Sequence, residues 1–593
     1  MKSKSELERL RIKNFRCIGK TPVDLELDDI VVLVGANNAG KSSILIAYEI
    51  IMNSGSNEGK LTIDDFPNKR VDPSNLPEVE LHTILYDNFP GDEWCEKIEA
   101  NKKRVKEKWI WNSPNVEPIR RGYNVILNRW ANDDDKEKVP WGAHNIAQAY
   151  RPQPHRISAF DTPEQQTEEL RKLLDTVIKD RLEKYRKIEE SEDAKPSEYS
   201  QLLSNIRELQ EKVVKDSKEE IDKLEKKLTN EIDKIFPNYV IQFDAKSEEG
   251  VDKSVTFFNE NSQLLMGPKN GFLSNIELQG SGARRTLLWS TLKMLTESGI
   301  KARPLGSKSQ KMVKIDTDKM NVLLLDEPEI CLHPNAIRDV NEVLYRLPES
   351  KNWQVIITTH SPQFIDISKD NTTIVRVDRD ESGEIFGSTI YRPKKAKLSD
   401  DDKEFLKLLN LFDPYVAEFF FGGKVIIVEG DTEYTAFKHI IRENPERFKN
   451  IHIIRARGKA TIVSLCKVLN QFGSNYSILH DSDTPKCKRK DKDGVLKEMT
   501  NPAWTKNNDI LKEAKLSACN VRVIASIPNF EGAYYNEELK NEKPYAALKK
   551  LKENPDVFKK IEQLLIGLLE FDKSLPENAK EWNKENELEG FFN

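Results

Sequence analysis

The segment that constrains this chain most is Gly35-Ala36-Asn37-Asn38-Ala39-Gly40-Lys41-Ser42, because of what flanks it. Ile30 to Val34 is an unbroken apolar run, as expected of a strand covered on both faces, and SSILIAYEIIM (42–52) then switches to helical spacing. A glycine-rich turn from a buried strand into a helix aims several backbone N–H groups and the positive helix end at one spot, which makes a cradle for phosphates. Lys41 is placed to reach the β and γ phosphates and Ser42 to ligate Mg²⁺. Asn37, Asn38, Gly40 and Ser43 complete the candidate nucleotide contacts there.

Two further apolar runs end on polar groups that suit such a cradle. NVLLL (321–325) delivers Asp326 and Glu327, the first suited to the magnesium shell and the second to polarising an attacking water. QVIITTHSP (354–362) brings His360 to a strand end, where it can meet a γ phosphate. LQGSGARRTLLWSTL (278–292) starts a helix at Ser281 and Gly282, a second anion-binding terminus.

At 593 residues the chain is too long for one core. The patterning divides it into 1–160, a first ATPase lobe, and 161–236, a helical insert. A second lobe covers 237–397, with a polar insert near 301–318, and a linker follows at 398–421. A second α/β unit spans 422–550, and 551–593 is a charged helical tail. Within the insert Leu202, Ile206, Leu209 and Val213, then Ile221, Leu224, Leu228, Ile232 and Ile235, keep 3 and 4 spacing. That is the seam of a helical hairpin or short coiled coil suited to dimerisation, or else two amphipathic helices lying on the same domain. Residues 75–160 carry little pattern. No apolar run approaches membrane-spanning length and MKSKSELERLRIKNFR has no signal-peptide core, so a cytoplasmic protein is expected. The six cysteines show no CxxC spacing, which favours reduced thiols over zinc or disulfides. With 93 basic and 98 acidic residues the net charge is -5, so any nucleic-acid contact must come from local basic patches or bridging metal.

The 422–550 unit carries a second constellation. VIIVEGDTEYTAF (425–437) puts Glu429 at a strand tip, and Glu433 one helical turn later can face the same point. YSILHDSD (476–483) puts Asp481 and Asp483 at another strand end, two apart and on one face. Hard cations want several carboxylate oxygens, and paired Mg²⁺ or Mn²⁺ ions stabilise both the attacking and leaving oxygens in phosphodiester cleavage. PKCKRKDKDGVLKEMTNPAWTK (485–506) follows, with Lys486, Lys488, Arg489 and Lys490 crowded beside these carboxylates and Trp504 further on. It reads equally as a flexible basic loop that holds a DNA backbone and as an ordinary solvated loop.

These motifs carry a resemblance. The loop at Ser281 resembles the ABC signature, departing from LSGGQ with Arg284 and Arg285, and implies two heads that sandwich ATP. IKNFRCIGK before the P-loop resembles the opening of the SMC and RecF group, which implies Arg16 near the nucleotide. Glu429 followed by the DxD resembles the Toprim domain. An SMC/RecF-like head with a C-terminal Toprim domain is similar to the OLD (overcoming lysogenization defect) family of nucleases. That likeness implies an α/β fold in two catalytic parts, ATP and Mg²⁺ or Mn²⁺ as cofactors, a homo-oligomer and DNA as substrate. It further implies Glu531 as a holder of the second metal and Lys543 as a stabiliser of phosphate charge, against a plain solvated lysine. The family acts largely in anti-phage defence. One branch, the Gabija nuclease subunit, works beside a UvrD-like helicase, and others serve retrons with a reverse transcriptase. Rival expectations are a repair ATPase with a non-cutting Toprim fold, a topoisomerase or primase, and a defence sensor acting through a partner. The second of these is not expected, since the tail after Tyr545 leaves no room for a gate domain and the cysteines form no cluster for zinc.

Overall fold

In a computed structural model the described residues are 5–592, apart from 88, 159–161, 163–164, 169, 171–220, 235, 245–262, 298–319, 331, 333, 351–352, 370, 380–382, 414–415, 474, 491–495 and 536–541. The chain forms two compact units. One comprises Met1–Leu33, Asn37–Phe364 and Val377–Ser388, and the other Val34–Ala36, Ile365–Arg376 and Thr389–Asn593. No described helix is long and apolar enough to cross a membrane.

In the first unit β1 (Ser5–Lys13) pairs antiparallel with β2 (Val23–Glu26). The buried strand β3 (Ile30–Val34) then leads to helix α1 (Lys41–Met52), whose buried face includes Ile44, Leu45, Tyr48 and Ile51. β4 (Glu78–Leu85), β5 (Lys102–Ile110) and β6 (Ile119–Asn124) extend the antiparallel sheet from β1. β5, KKRVKEKWI, explains why this region is hard to read: its inward row is Val105, Glu107 and Trp109, so a carboxylate interrupts the apolar period. Glu107 is 2% exposed and sits between two buried arginines, with Arg120 Nε 2.7 Å and Arg151 Nε 2.8 Å from its oxygens. Burial alone would push this carboxyl up, but Arg151 and Arg120 hold it below the ordinary range.

β7 (Gln153–Ile157), helix α2 (Ser281–Glu297), β8 (Asn321–Asp326) and β9 (Trp353–Thr358) follow. β7, β8, β9 and β3 lie parallel in that order, so β3, β8 and β9 end at the same edge. Of the expected helical insert, 221–233 is helical with Leu228 and Ile232 buried. Leu202, Ile206, Leu209, Val213 and Ile235 lie outside the described residues, as does the polar insert at 301–318.

The second unit starts its α/β part with α3 (Asp400–Phe412), β10 (Lys424–Val428), α4 (Asp431–Glu443), β11 (Ile451–Arg455), α5 (Lys459–Leu469) and β12 (Tyr476–Asp481). The hairpin β13 (Lys486–Lys490) and β14 (Leu496–Thr500), α6 (Pro502–Ala514) and β15 (Val521–Ser526) come next. α7 (Phe530–Tyr535), α8 (Lys543–Glu553), α9 (Pro555–Leu569) and β16 (Ala579–Glu581) complete it. The sheet order is β11-β10-β12-β15-β16, parallel except for the last. Two expectations need correction here. The tail is not helical only, since Ala579–Glu581 is an edge strand of this sheet, too short to show a period. The basic segment after Asp483 is a hairpin rather than a loop, because its alternation is of charge and not of hydrophobicity.

Asp402 fastens α3 to α5. It accepts from Ser464 Oγ at 2.7 Å and Lys467 Nζ at 2.6 Å, and from its own cap Ser399 Oγ at 2.7 Å. Burial pushes its carboxyl up, but these donors outweigh it and hold the carboxyl at about 2. Asp402→Ala should therefore destabilise this unit by about 1–3 kcal/mol in urea unfolding at neutral pH. A depressed carboxylate contributes above its unfolded value near 3.8, so the difference between parent and variant should fade as pH drops toward 2.

Candidate functional site

Two sites emerge, one in each unit. At the parallel edge of the first, Gly40 takes φ +92°, a left-handed turn into α1. A Cβ there would also meet Ile385 Cδ1 at 2.9 Å and Cys17 Sγ at 3.0 Å, so only glycine fits. Lys41 is buried, and its Nζ donates to His360 Nε2 at 2.8 Å. Ser42 Oγ donates to Asp326 Oδ1 at 2.9 Å, and Thr358 Oγ1 donates to the same oxygen at 2.6 Å. His360 Nε2 lies 3.4 Å from Glu327 Oε1. Thus Lys41, Ser42, Asp326, Glu327 and His360, taken from three separate segments, stand together.

Burial, then the Lys41 ammonium, pushes His360 below its ordinary value, so it is a neutral imidazole that accepts from Lys41. Burial likewise lowers Lys41, while Glu327 and Asp326 work against that shift. Glu327 itself has φ +47°, with its N–H on Thr358 O at 3.0 Å. The sequence reading missed Glu329, whose buried carboxylate accepts from the His360 N–H at 2.6 Å and Thr359 Oγ1 at 2.9 Å. It holds the histidine turn, and the adjacent acidic pair was the only hint of it.

The outlying candidates are placed less centrally. Arg16 pairs with Asp65 at 2.8 Å, while its neighbour Cys17 lies 3.5 Å from Ser43 Oγ on the P-loop helix. Asn37 and Asn38 are exposed, and Asn38 O accepts from Arg379 at 2.8 Å. Ser281 is the first residue of α2, and Gly282 is buried beside Asp326 and Pro328 around a small cavity. Arg284 is buried too, donating to Gln166 Oε1 at 2.9 Å and Glu277 O at 3.1 Å.

In the second unit the carboxylates gather at the ends of β10 and β12. Glu429 follows β10 directly, and its Oε2 accepts from the Asp481 N–H at 3.0 Å. Gly430 lets α4 start close behind it: a Cβ there would stand 3.0 Å from Glu433 Oε2. Asp481 Oδ1 accepts from the Phe530 N–H at 2.8 Å, which draws α7 and Glu531 over the strand ends. Glu531 Oε1 accepts from Thr432 Oγ1 at 3.2 Å, and Lys543 Nζ lies 3.5 Å from the same oxygen. Lys543 is therefore not a remote surface lysine, although its side chain is 58% exposed. Asp483, at φ +58°, is bonded to the buried Lys459, which also donates to Ala503 O at 3.2 Å.

Burial pushes the Glu433 carboxyl up to about 8, with Glu429, Glu531 and Asp431 adding repulsion. Burial also raises Asp481 well above its usual range, with Glu433 and Glu429 adding to it, and raises Glu429 against the pull of Lys459. Lys459 was not foreseen; it follows an Arg-Gly turn after β11, and nothing in its local pattern marks it. Among the described residues no three acidic, histidine or cysteine side chains enclose one point closely enough to hold an ion as placed. Glu429, Asp481, Asp483 and Glu531 each meet a protein donor instead. The donor set nevertheless fits a hard divalent cation: buried, oxygen-only and short of compensating positive charge.

Fold and sites together define a protein with a P-loop ATPase head followed by a carboxylate-bearing α/β domain. Residues 6–365 match the AAA ATPase domain family, and 420–483 match the overcoming lysogenization defect protein-like TOPRIM domain. The chain belongs to the first of these families, whose match covers more than half its length, and carries a segment that matches the second. The pair implies nucleotide binding and use of a divalent metal. It is 25% identical to the Old nuclease of Escherichia phage P2, over 80% of this chain and 77% of that one. It is also 25% identical to the OLD nuclease of Thermus scotoductus, over 92% and 95%. A partial match, 28% identical over 41% and 40%, is to endonuclease GajA of Bacillus cereus.

Proposed function

We propose that this protein is a divalent-metal-dependent DNA endonuclease whose cutting is gated by nucleotide in the head, and that it serves in anti-phage defence. The single observation that carries the reading is the convergence of Glu429, Glu433, Asp481 and Glu531 on one sheet edge with Lys543 beside them. A bound Mg²⁺ or Mn²⁺ supplies charge neutralisation and a nucleophilic water at neutral pH. Glu429, Glu433, Asp481, Asp483 and Glu531 would hold the metal. Lys543 would steady the charge on the phosphate, and Lys459 sets where Asp483 points. In the head Lys41, Ser42, Asp326, Glu327 and His360 would hold ATP, with Arg16, Asn37, Asn38, Gly40, Ser43, Ser281 and Gly282 as the outer candidates.

The names of the relatives support the nuclease reading, and the defence role rests on the resemblance to the OLD family. Assembly as a homo-oligomer, and action beside a UvrD-like helicase or a retron reverse transcriptase, belong to the same proposal. Plasmid nicking by the purified protein tests it: Glu429→Gln should abolish nicking, and parent-like nicking would refute the metal assignment. Lys41→Ala should weaken ATP binding at least tenfold, since it removes the buried cation of the cradle (about 1.4 kcal/mol or more), as equilibrium titration with a fluorescent ATP analogue would show.

A further inference from the structure

The ribbon β13–β14 is an oddity in an acidic chain. Its ten strand residues, 486–490 and 496–500, include five cations and one carboxylate, while the whole chain carries -5. The register sets Lys488 opposite Glu498 and Arg489 opposite Lys497. Lys486 reaches Glu498 at 3.3 Å with its side chain 69% exposed, and Met499 is 52% exposed, so the ribbon covers no core there. A two-stranded ribbon by itself is marginal in water, and crowding like charges on one strand weakens it further.

Its stem is fixed with care. The Asn501 N–H donates to Pro485 O at 3.0 Å, and Asn501 Nδ2 donates to Thr484 O at 3.0 Å. Lys459 ties Asp483, just before the ribbon, to Ala503 O, just after it. A cationic arm of little intrinsic stability is thus rooted on backbone held rigidly to the carboxylate cluster. Two-residue alternation sets Lys486 and Lys488 about 7 Å apart on one side, a spacing for sequence-independent contacts.

We infer that the β13–β14 ribbon grips the phosphate backbone of DNA and holds the strand to be cut against the carboxylates. This rests on the nuclease reading above. An acidic protein would also meet these cations, but a site rooted three residues from Asp483 places its ligand where a phosphodiester is wanted. Lysine contacts to phosphate position a duplex and make binding salt-dependent without reading sequence.

The test compares the parent with K486Q/K488Q/K490Q and with a control of equal charge change, K552Q/K559Q/K560Q, whose lysines are exposed on α8 and α9. Binding of a labelled duplex in chelator is measured by anisotropy over a range of salt, and cutting is measured in Mn²⁺. The ribbon variant should lose at least tenfold in affinity at low salt, its log K against log salt slope should be shallower by about 2 to 3, and KM should rise with little change in kcat. The control should match the parent. A parent that cuts while the ribbon variant keeps the parent's slope and KM overturns the inference and leaves the nuclease reading standing. A parent that cuts no DNA with any divalent metal overturns both. Should the triple variant melt early, Lys488→Glu alone carries the test, with a loss of affinity expected and parent-like binding contradicting it.

Discussion

Replacing Asp481 by asparagine is expected to abolish DNA cutting by at least about a hundredfold, because even outer-shell changes around a metal cost 10–100-fold. The same change should make the metal-free protein harder to unfold. Asparagine keeps an acceptor for the Phe530 N–H but removes the carboxylate that Glu433 and Glu429 repel. The signs can be worked out. Glu433 is raised to about 8 in the folded chain, so the folded form binds protons more tightly than the unfolded form near 4.5. Stability of the metal-free parent should then fall as pH rises from about 4.5 to about 8. Thermal melts in chelator should show Asp481→Asn above the parent, by more at pH 8 than at pH 5, with Mn²⁺ closing the gap by stabilising the parent alone. A variant that is inactive and also less stable in chelator at pH 8 would mean that Asp481 is a structural anchor.

The second large effect lies at a residue that belongs to neither candidate site. Glu107→Ala should cost about 3–5 kcal/mol, because it leaves Arg120 and Arg151 buried without their counter-charge. The first thermal transition should drop on the order of 10 °C. Both arginines are at most 5% exposed, so they cannot turn to water without opening the sheet. Arg151 also lies over the Trp109 ring, 4.9 Å from its centroid, so the loss should spread through the sheet below α1. A Glu107→Ala protein melting within 2 °C of the parent (less than about 1 kcal/mol) would remove this triad from the account.

What the sequence displays and what it conceals follow from how each element is built. β3, β8, β9, β10 and β12 are covered on both faces, so their apolar runs stand out and the polar residues at their ends are easy to place. Lys41, Asp326, His360, Glu429 and Asp481 were legible for that reason. β5 and β6 face core on one side only, and Glu107 occupies an inward position of β5, so period-two alternation is broken where it matters. Lys459 and Glu329 act through partners distant in sequence, Asp483 and His360, which no local window contains. Ala579–Glu581 has three residues, fewer than any periodicity can show. The ribbon was visible as charge but not as structure, since its strands alternate without a hydrophobic row.

The most direct measurement is plasmid cutting by the purified chain with Mg²⁺ or Mn²⁺, run beside a chelator control and the Asp481→Asn protein. The carboxylate cluster predicts nicked or linear DNA only for the parent with metal. Cutting that survives in chelator, or in Asp481→Asn at the parent's rate, would contradict it.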